Sequence, residues 1–268
     1  MILYISIQIV LSVNKKIIKG VNMFMKKIGS ILFVIFTIGC LYFMSKGLVG
    51  IPAAYVLITF HIIRMITKIA ALQFICKKTN KIRTDIKEEI PRKFGHLELC
   101  YLTIPMVYFS FKGTIHMLLY PLLGLVLVFI LKQTGILKKL VERNKEDDDN
   151  LGSTSCLIIG FLINGVIAYF NPAYTIPTML AVMSTTGDVA ACFMGKLFGK
   201  HKIYKKKSLE GFLAYIVIAV VSMYIFSGIS IWYLLPIGIV GAIIELYSDN
   251  YDNLVTQLVC ALVAFLIL

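Results

Sequence analysis

An aspartate followed by regularly spaced small residues stands near the end of one apolar stretch of the sequence. Asp188 comes directly after Gly187, and Gly187, Ala191, Gly195 and Gly199 recur at every fourth position. Small residues at this spacing leave one helical face free of bulk, as in closely packed membrane helices. A carboxylate on such a face can also hold a divalent cation while bare backbone approaches a polyphosphate. The spacing alone favours close packing, so the choice depends on the residues that follow.

The next apolar stretch opens with KSLEG, residues 207–211. Lys207 supplies a cation, Ser208 a hydroxyl that can cap a helix, and Glu210 a carboxylate. An anion can bind against such a helix start. GKLFGKH, residues 195–201, is not a P-loop, because its glycines enclose three residues instead of four and His follows the Lys. The two segments together favour a phosphate-binding site with a metal at Asp188.

A second candidate segment is EEIPRKFGHLE, residues 88–98, where a basic stretch enters an apolar one. On a helix, Glu89 and Lys93 are four residues apart, as are Arg92 and His96, so the four side chains lie close together. A juxtamembrane basic girdle for anionic lipid explains Arg92 and Lys93. It does not explain His96 and Glu98 at the boundary between water and lipid, and these two residues favour a functional site.

The third candidate segment lies near the C-terminal end and contains Glu245, Asp252 and Asn253. Asp and Asn commonly form turns, which accounts for residues 249–253 without any chemistry. Glu245 is different, because an ionisable side chain inside an apolar stretch is costly and indicates function.

His61, Arg64 and Lys68 share one face of a predicted helix. They fit a polar groove and a tilted or interfacial helix equally well. We therefore leave them outside the predicted site.

The composition requires a membrane to position these segments. Of 268 residues, 59% are hydrophobic and 15% are charged, whereas a soluble domain is about half apolar and one quarter charged. The formal net charge of +13 comes from short clusters of Lys and Arg between apolar runs, which is typical of membrane topology and argues against a nucleic-acid partner. No two cysteines are spaced as C-x-x-C, so a disulfide framework or a zinc site is not expected.

We predict an all-α, polytopic membrane bundle of about seven to nine spanning helices. Residues 1–27 are interpreted as an N-terminal leader and residues 28–268 as a single transmembrane catalytic domain. The candidate spans are roughly 28–50, 51–76, 95–111, 114–131, 151–170, 173–195, 211–227, 229–247 and 253–268.

The four basic clusters are separated by pairs of candidate spans, so all of them return to one face of the membrane. The positive-inside rule makes that face cytoplasmic. The segment 208–268 has no Lys or Arg, yet Glu210, Glu245 and Asp252 are expected at this same face. The membrane is expected to be the plasma membrane in a prokaryote and the endoplasmic reticulum in a eukaryote.

These segments, in this order over roughly residues 85–260, resemble the polyprenol kinase group, which includes dolichol kinase, phytol kinase and CTP-dependent diacylglycerol kinase. Four patterns carry the resemblance: E-x-x-R-K-x-x-H at Glu89, Arg92, Lys93 and His96; G-D-x-x-A-x-x-x-G-x-x-x-G at Gly187, Asp188, Ala191, Gly195 and Gly199; K-S-x-E-G at Lys207 to Gly211; and Glu followed by Asp-Asn at Glu245, Asp252 and Asn253. Two departures concern Val189, where the group commonly has a polar residue or Gly, and the missing proline after Asn253.

The resemblance implies CTP as the phosphate donor and a lipid alcohol, either an isoprenoid alcohol or diacylglycerol, as the acceptor. We expect Asp188, with Glu245 or Asp252, to bind Mg²⁺. The nucleotide is expected to contact Arg92, Lys93, Lys207, Ser208, Asn253 and the backbone at Gly187, Gly195 and Gly199. His96 and Glu210 are both candidates for the general base, and the oligomeric state is not predicted.

Two other functions are considered. Phosphatidate cytidylyltransferase has a similar nucleotide segment, but its usual C-terminal pattern H-G-G-x-x-D-R-x-D is missing from this sequence. A transporter or a non-catalytic membrane protein is the alternative of another class. Transporters place polar sites near the midplane, often between inverted repeats, whereas these motifs gather at one face.

Overall fold

A computed structural model describes residues 48–78, 84–99, 103–133, 153–170, 175–248 and 251–268, together with residues 39, 42–43 and 46. Within these ranges the chain forms nine helices and one small sheet, which confirms the predicted all-α membrane bundle. The predicted leader, most of the predicted span 28–50 and residues 249–250 lie outside the described residues.

The elements follow one another in this order: α1 Ile51–Lys78, α2 Thr84–Glu98, α3 Ile104–Ser110, α4 His116–Gln133, α5 Ser153–Phe170, α6 Thr175–Leu197, β1 Lys202–Tyr204, β2 Lys207–Ser208, α7 Leu209–Ser227, α8 Ile231–Tyr247 and α9 Asp252–Ile267.

Besides the seven-residue α3, seven of the described helices are apolar. By length and composition, α1, α6 and α7 could each cross a membrane, over Ile51–Phe74, Ile176–Leu197 and Leu209–Ser227. The apolar parts of α4, α5, α8 and α9 are shorter. The predicted span 95–111 contains the end of α2 and all of α3, and its residues 100–102 lie outside the described residues.

Two apolar clusters hold the bundle together. One joins α1, α3, α4 and α5 around residues such as Ile58, Tyr108 and Phe161. The other joins α6, α7, α8 and α9 around Met183 and Tyr215. Helix α6 contributes to both clusters, which places its polar residues at the centre of the fold.

The small residues of α6 allow α7 to approach closely. A Cβ atom on Gly211 of α7 would lie 2.8 Å from the carbonyl oxygen of Ala191. A Cβ atom on Gly199, just after α6, would lie 2.2 Å from the carbonyl oxygen of Gly195 and 2.6 Å from Ser208 Oγ. These distances are too short for any side chain, so the glycines are needed for packing whatever else they do.

The segment between α6 and α7 folds into a short antiparallel hairpin of β1 and β2, which the sequence patterns did not predict. Lys205 in its turn has a φ of 47°, a conformation uncommon for residues other than glycine. Ser208 then caps α7 as predicted, because its hydroxyl accepts a hydrogen bond from the Gly211 amide at 3.3 Å. The hairpin thereby fixes Lys207 at the start of the helix.

Candidate active site

Three carboxylates from three helices meet at one place in the bundle. Asp188 of α6, Glu245 of α8 and Asp252 of α9 each offer an oxygen, and these oxygens lie within 4.8 Å of one another. Asp188 is 4% exposed, and the other two are partly exposed. The sequence placed these residues in one site, and the structure brings them together.

Lys93 and His96 of α2 both reach Asp188. Lys93 Nζ donates to Asp188 Oδ1 in a buried ion pair, and His96 Nδ1 lies 3.8 Å from Asp188 Oδ2. Among the described residues, neither ring nitrogen of His96 nor Asp188 Oδ2 has a hydrogen-bond partner. Buried polar atoms normally have hydrogen-bond partners, so these three atoms indicate a position for a bound ion or ligand.

Helix α2 is polar and is not one of the helices that are apolar enough to cross a membrane. Burial lowers the pKa of His96, and the positive charges of Arg92 and Lys93 lower it further, although Asp188 opposes them. The imidazole is therefore neutral near pH 7, with a nitrogen lone pair available to accept a proton.

Lys207 contacts the carboxylate group at Glu245. Its Nζ lies 3.2 Å from Glu245 Oε1 and also donates to the carbonyl oxygens of Glu245 and, at 3.1 Å, of Ser248. These carbonyls belong to the last turn of α8 and its cap, where a cation is favourable. The lysine side chain is 31% exposed, so it can also contact a ligand.

Glu89 fixes the orientation of α2 against α6. Its carboxylate is fully buried and accepts two hydrogen bonds from Arg92, at 3.0 and 2.6 Å. Lys196 of α6 donates to the same carboxylate at 3.1 Å and to the carbonyl oxygen of Asp85 at 2.8 Å. Sequence reasoning missed Lys196, whose only signal was its place in a basic cluster.

Glu210 points toward the hairpin. Its carboxylate lies 2.8 Å from His201 Nδ1 and accepts from the His201 amide at 3.3 Å. The His201 side chain is 74% exposed. Of the two candidate bases, His96 is thus the one beside Asp188.

The remaining predicted residues line the closely packed parts of the site. A Cβ atom on Gly187 would lie 2.6 Å from the ring of Tyr215, and one on Gly195 would lie 3.3 Å from Ser208 Oγ. Asn253 is 3% exposed, and its backbone N–H donates to Asp252 Oδ1 at 2.7 Å. Tyr215 was missed by sequence reasoning, since one tyrosine in an apolar stretch has no distinguishing pattern.

The charge of the site suits a divalent cation bound together with an anion. Asp188, Glu245 and Asp252 offer three carboxylate groups, and the cations of Lys93 and Lys207 lie next to two of them. Hard cations prefer carboxylate oxygens, and Mg²⁺ in particular is shared between a few carboxylates and substrate phosphates. The donor set and the unsatisfied Asp188 Oδ2 therefore fit Mg²⁺.

Comparison with known proteins places the whole arrangement in a family. A family model described as the cytidylyltransferase family matches residues 25–267. No curated protein and no solved structure matches the chain. The matched range includes every residue of the site described above, and we conclude that this chain belongs to the cytidylyltransferase family, a family of enzymes.

Proposed function

We propose that the protein is a CTP-dependent lipid kinase that phosphorylates the hydroxyl group of an isoprenoid alcohol or of diacylglycerol. The family match supports an enzyme of CTP-related lipid chemistry. The observation that favours a kinase is the contact of Lys93 and His96 with Asp188. This contact joins two parts of the site: the E-x-x-R-K-x-x-H segment, which resembles the corresponding segment of polyprenol kinases, and the carboxylates that fit a metal.

The reaction forms a bond between the lipid hydroxyl oxygen and the γ-phosphorus of CTP. The bond from that phosphorus to the β–γ bridging oxygen breaks, CDP leaves, and the hydroxyl proton passes to a base. Phosphoryl transfer requires mainly positioning and stabilisation of charge. The charged residues around Asp188 suit both tasks, which supports the proposal.

Asp188, Glu245 and Asp252 would hold Mg²⁺, which when bound neutralises phosphate charge and helps orient the nucleotide. Lys207 adds positive charge next to Glu245, and Lys93 adds it next to Asp188. The nucleotide would also lie near Arg92, Ser208 and Asn253.

We assign the general base to His96. Its two ring nitrogens are buried without hydrogen-bond partners, and Nδ1 is 3.8 Å from an Asp188 oxygen. Glu210 is the weaker candidate because its carboxylate is bound to His201.

A phosphatidate cytidylyltransferase is the second candidate, favoured by the description of the matching family. That reaction would form a bond from a lipid phosphate to the α-phosphorus of CTP and release pyrophosphate. It uses the same metal and cations, so the carboxylate cluster suits both reactions.

The two reactions differ in their products. The full chain in lipid nanodiscs is incubated with CTP, Mg²⁺ and, in separate samples, an isoprenoid alcohol, diacylglycerol or phosphatidate, followed by mass spectrometry. We expect a phosphorylated lipid and CDP from an alcohol acceptor. A cytidylated lipid and pyrophosphate from phosphatidate, with no product from either alcohol, would overturn the kinase proposal.

A further inference from the structure

Two buried amide side chains join α5 to α9. Asn164 of α5 is 1% exposed and Gln257 of α9 is fully buried, and Asn164 Nδ2 donates a hydrogen bond to Gln257 Oε1 at 3.1 Å. The two residues lie within the apolar stretches Ser155–Ile167 and Asp252–Ile267. Polar side chains inside such stretches are costly, so their presence indicates a specific task.

Gln257 also binds the backbone of both helices. Its Nε2 donates to the carbonyl oxygen of Leu157 in α5 at 3.3 Å and to that of Asn253 in α9 at 3.2 Å. A carbonyl oxygen can only accept a hydrogen bond, so both bonds require the N–H groups of an amide. One side chain thereby connects a carbonyl of α5 to a carbonyl in the first turn of α9.

Gly160 makes room for this arrangement. A Cβ atom at this position would lie 2.6 Å from Gln257 Nε2 and 2.7 Å from Gln257 Cδ. A side chain there would push the amide away from the Leu157 carbonyl. Leu157, Gly160 and Asn164 are three and four residues apart, so they lie on one face of α5. This face of α5 is therefore shaped to receive the end of the Gln257 side chain.

The first turn of α9, which Gln257 holds, also carries a residue of the candidate active site. Asp252 begins the helix, and its Oδ1 accepts a hydrogen bond from the backbone N–H of Asn253. A helix start is held less firmly than its middle, because its first N–H groups have no partner within the helix. Displacing this turn from α5 would break hydrogen bonds of buried groups, which is costly.

We propose that Gln257, together with Asn164, is a positioning residue that keeps Asp252 within reach of the other two carboxylates. The inference rests on the metal site of the proposed function, but not on which phosphate of CTP is transferred. The carboxylate oxygens of Asp188, Glu245 and Asp252 lie within 4.8 Å of one another although they belong to three helices. Residues that orient metal ligands commonly change metal affinity about 10- to 100-fold when they are replaced.

The test measures binding of Mn²⁺, a paramagnetic substitute for Mg²⁺, to the full chain in phosphatidylcholine nanodiscs by electron paramagnetic resonance. Gln257→Met nearly keeps the size of the side chain and removes its hydrogen bonds, so it should weaken Mn²⁺ binding about ten-fold. Asn164→Leu leaves both bonds of Gln257 Nε2 in place. It should weaken Mn²⁺ binding only about three-fold, the effect of one hydrogen bond between membrane helices.

The double variant tests whether Asn164 acts through Gln257. Gln257→Met already removes the bond that the two residues share, so adding Asn164→Leu should weaken Mn²⁺ binding no further. The matched control is Cys260→Ala, which truncates another fully buried side chain of α9 beyond its first turn. It should lower the melting temperature and leave the Mn²⁺ affinity unchanged.

A lower melting temperature of Gln257→Met with an unchanged Mn²⁺ affinity would overturn the proposal, because it would show a role in packing only. An equal loss of affinity in Cys260→Ala would also overturn it. If Gln257→Met does not fold, unchanged Mn²⁺ affinity in Asn164→Leu is sufficient to overturn it. If the unchanged chain binds no Mn²⁺, the metal site of the proposed function is wrong, and this inference is overturned with it.

Discussion

The two faces of α2 carry different charged clusters. Toward α6, Lys93 and His96 meet Asp188 next to Glu245 and Asp252. Toward α1, Glu98 meets two cations and a histidine. One helix thus separates a group of carboxylates that fits a metal cation from a single carboxylate that is paired with basic side chains.

This difference explains why a polar helix is packed among apolar ones. Each buried charge on α2 has a partner on a neighbouring helix, and a buried pair is tolerated only when its geometry is good. Glu89 holds α2 against α6, whereas Glu98 holds it against α1. Variants that change one face and leave the other intact can therefore test whether the two clusters have separate functions.

The largest effect is expected at Asp188. Asp188→Asn removes a metal ligand, so product formation from CTP should fall about 10³-fold or more. Because this change also leaves Lys93 without its counter-ion, Asp252→Asn is the second variant, and it should reduce activity strongly with little loss of thermal stability. Asp85→Asn, at an exposed residue of α2, is the control. Full activity in Asp252→Asn and Asp188→Asn would contradict a metal site at these carboxylates.

The next effect is expected at Lys207, which the hairpin holds beside Glu245. Lys207→Gln should lower kcat/KM for CTP about 100-fold, because the phosphates lose a nearby cation. Lys206→Gln changes the neighbouring exposed lysine. Its kcat/KM for CTP should stay within about two-fold of that of the unchanged protein, because an exposed charge contributes little. Equal effects in the two variants would mean that general surface charge, and not the position of Lys207, matters.

Glu89→Gln tests the attachment of α2 to α6. Arg92 and Lys196 share this buried carboxylate. Its neutralisation should therefore lower the free energy of unfolding by about 2 kcal/mol, a value below that of a fully buried ion pair because solvent screens the partly exposed Arg92 and Lys196. Unchanged stability and unchanged activity would show that Glu89 does not fix α2.

The smallest effect on activity is expected at Gly187, where a substitution can distinguish a role in packing from a role in nucleotide binding. Gly187→Ala would place a methyl group against the buried ring of Tyr215, so the free energy of unfolding should fall by about 1–3 kcal/mol. If packing is the only role, the KM for CTP stays unchanged below the unfolding temperature. A raised KM for CTP in a stable variant would instead support a direct role of Gly187 in nucleotide binding.

Much of this fold could be predicted because a membrane restricts the possibilities. Apolar stretches of sufficient length predict helices, and the grouping of Asp188, Glu245 and Asp252 followed from the placement of charge along those stretches.

Other parts of the site depended on contacts between distant residues. The hairpin of β1 and β2 is five residues of strand in a polar stretch, too short for a periodic pattern. The pairing of Lys93 with Asp188 instead of Glu89 depends on how α2 rotates against α6. Spacing along one helix predicts neighbours on that helix only, so neither the role of Glu89 nor that of Lys196 could be derived from it.

We propose that the site around Asp188 transfers the γ-phosphate of CTP to a lipid hydroxyl. This transfer can be tested by supplying CTP that carries different radioactive labels on its α- and γ-phosphates to the full chain with Mg²⁺, an alcohol acceptor and phosphatidate, and then counting both labels in the extracted lipids. We predict γ-label alone in the lipids, and loss of that label in Asp188→Asn. Lipid that contains the α-label without γ-label would rule out transfer of the γ-phosphate and would identify a cytidylyltransferase.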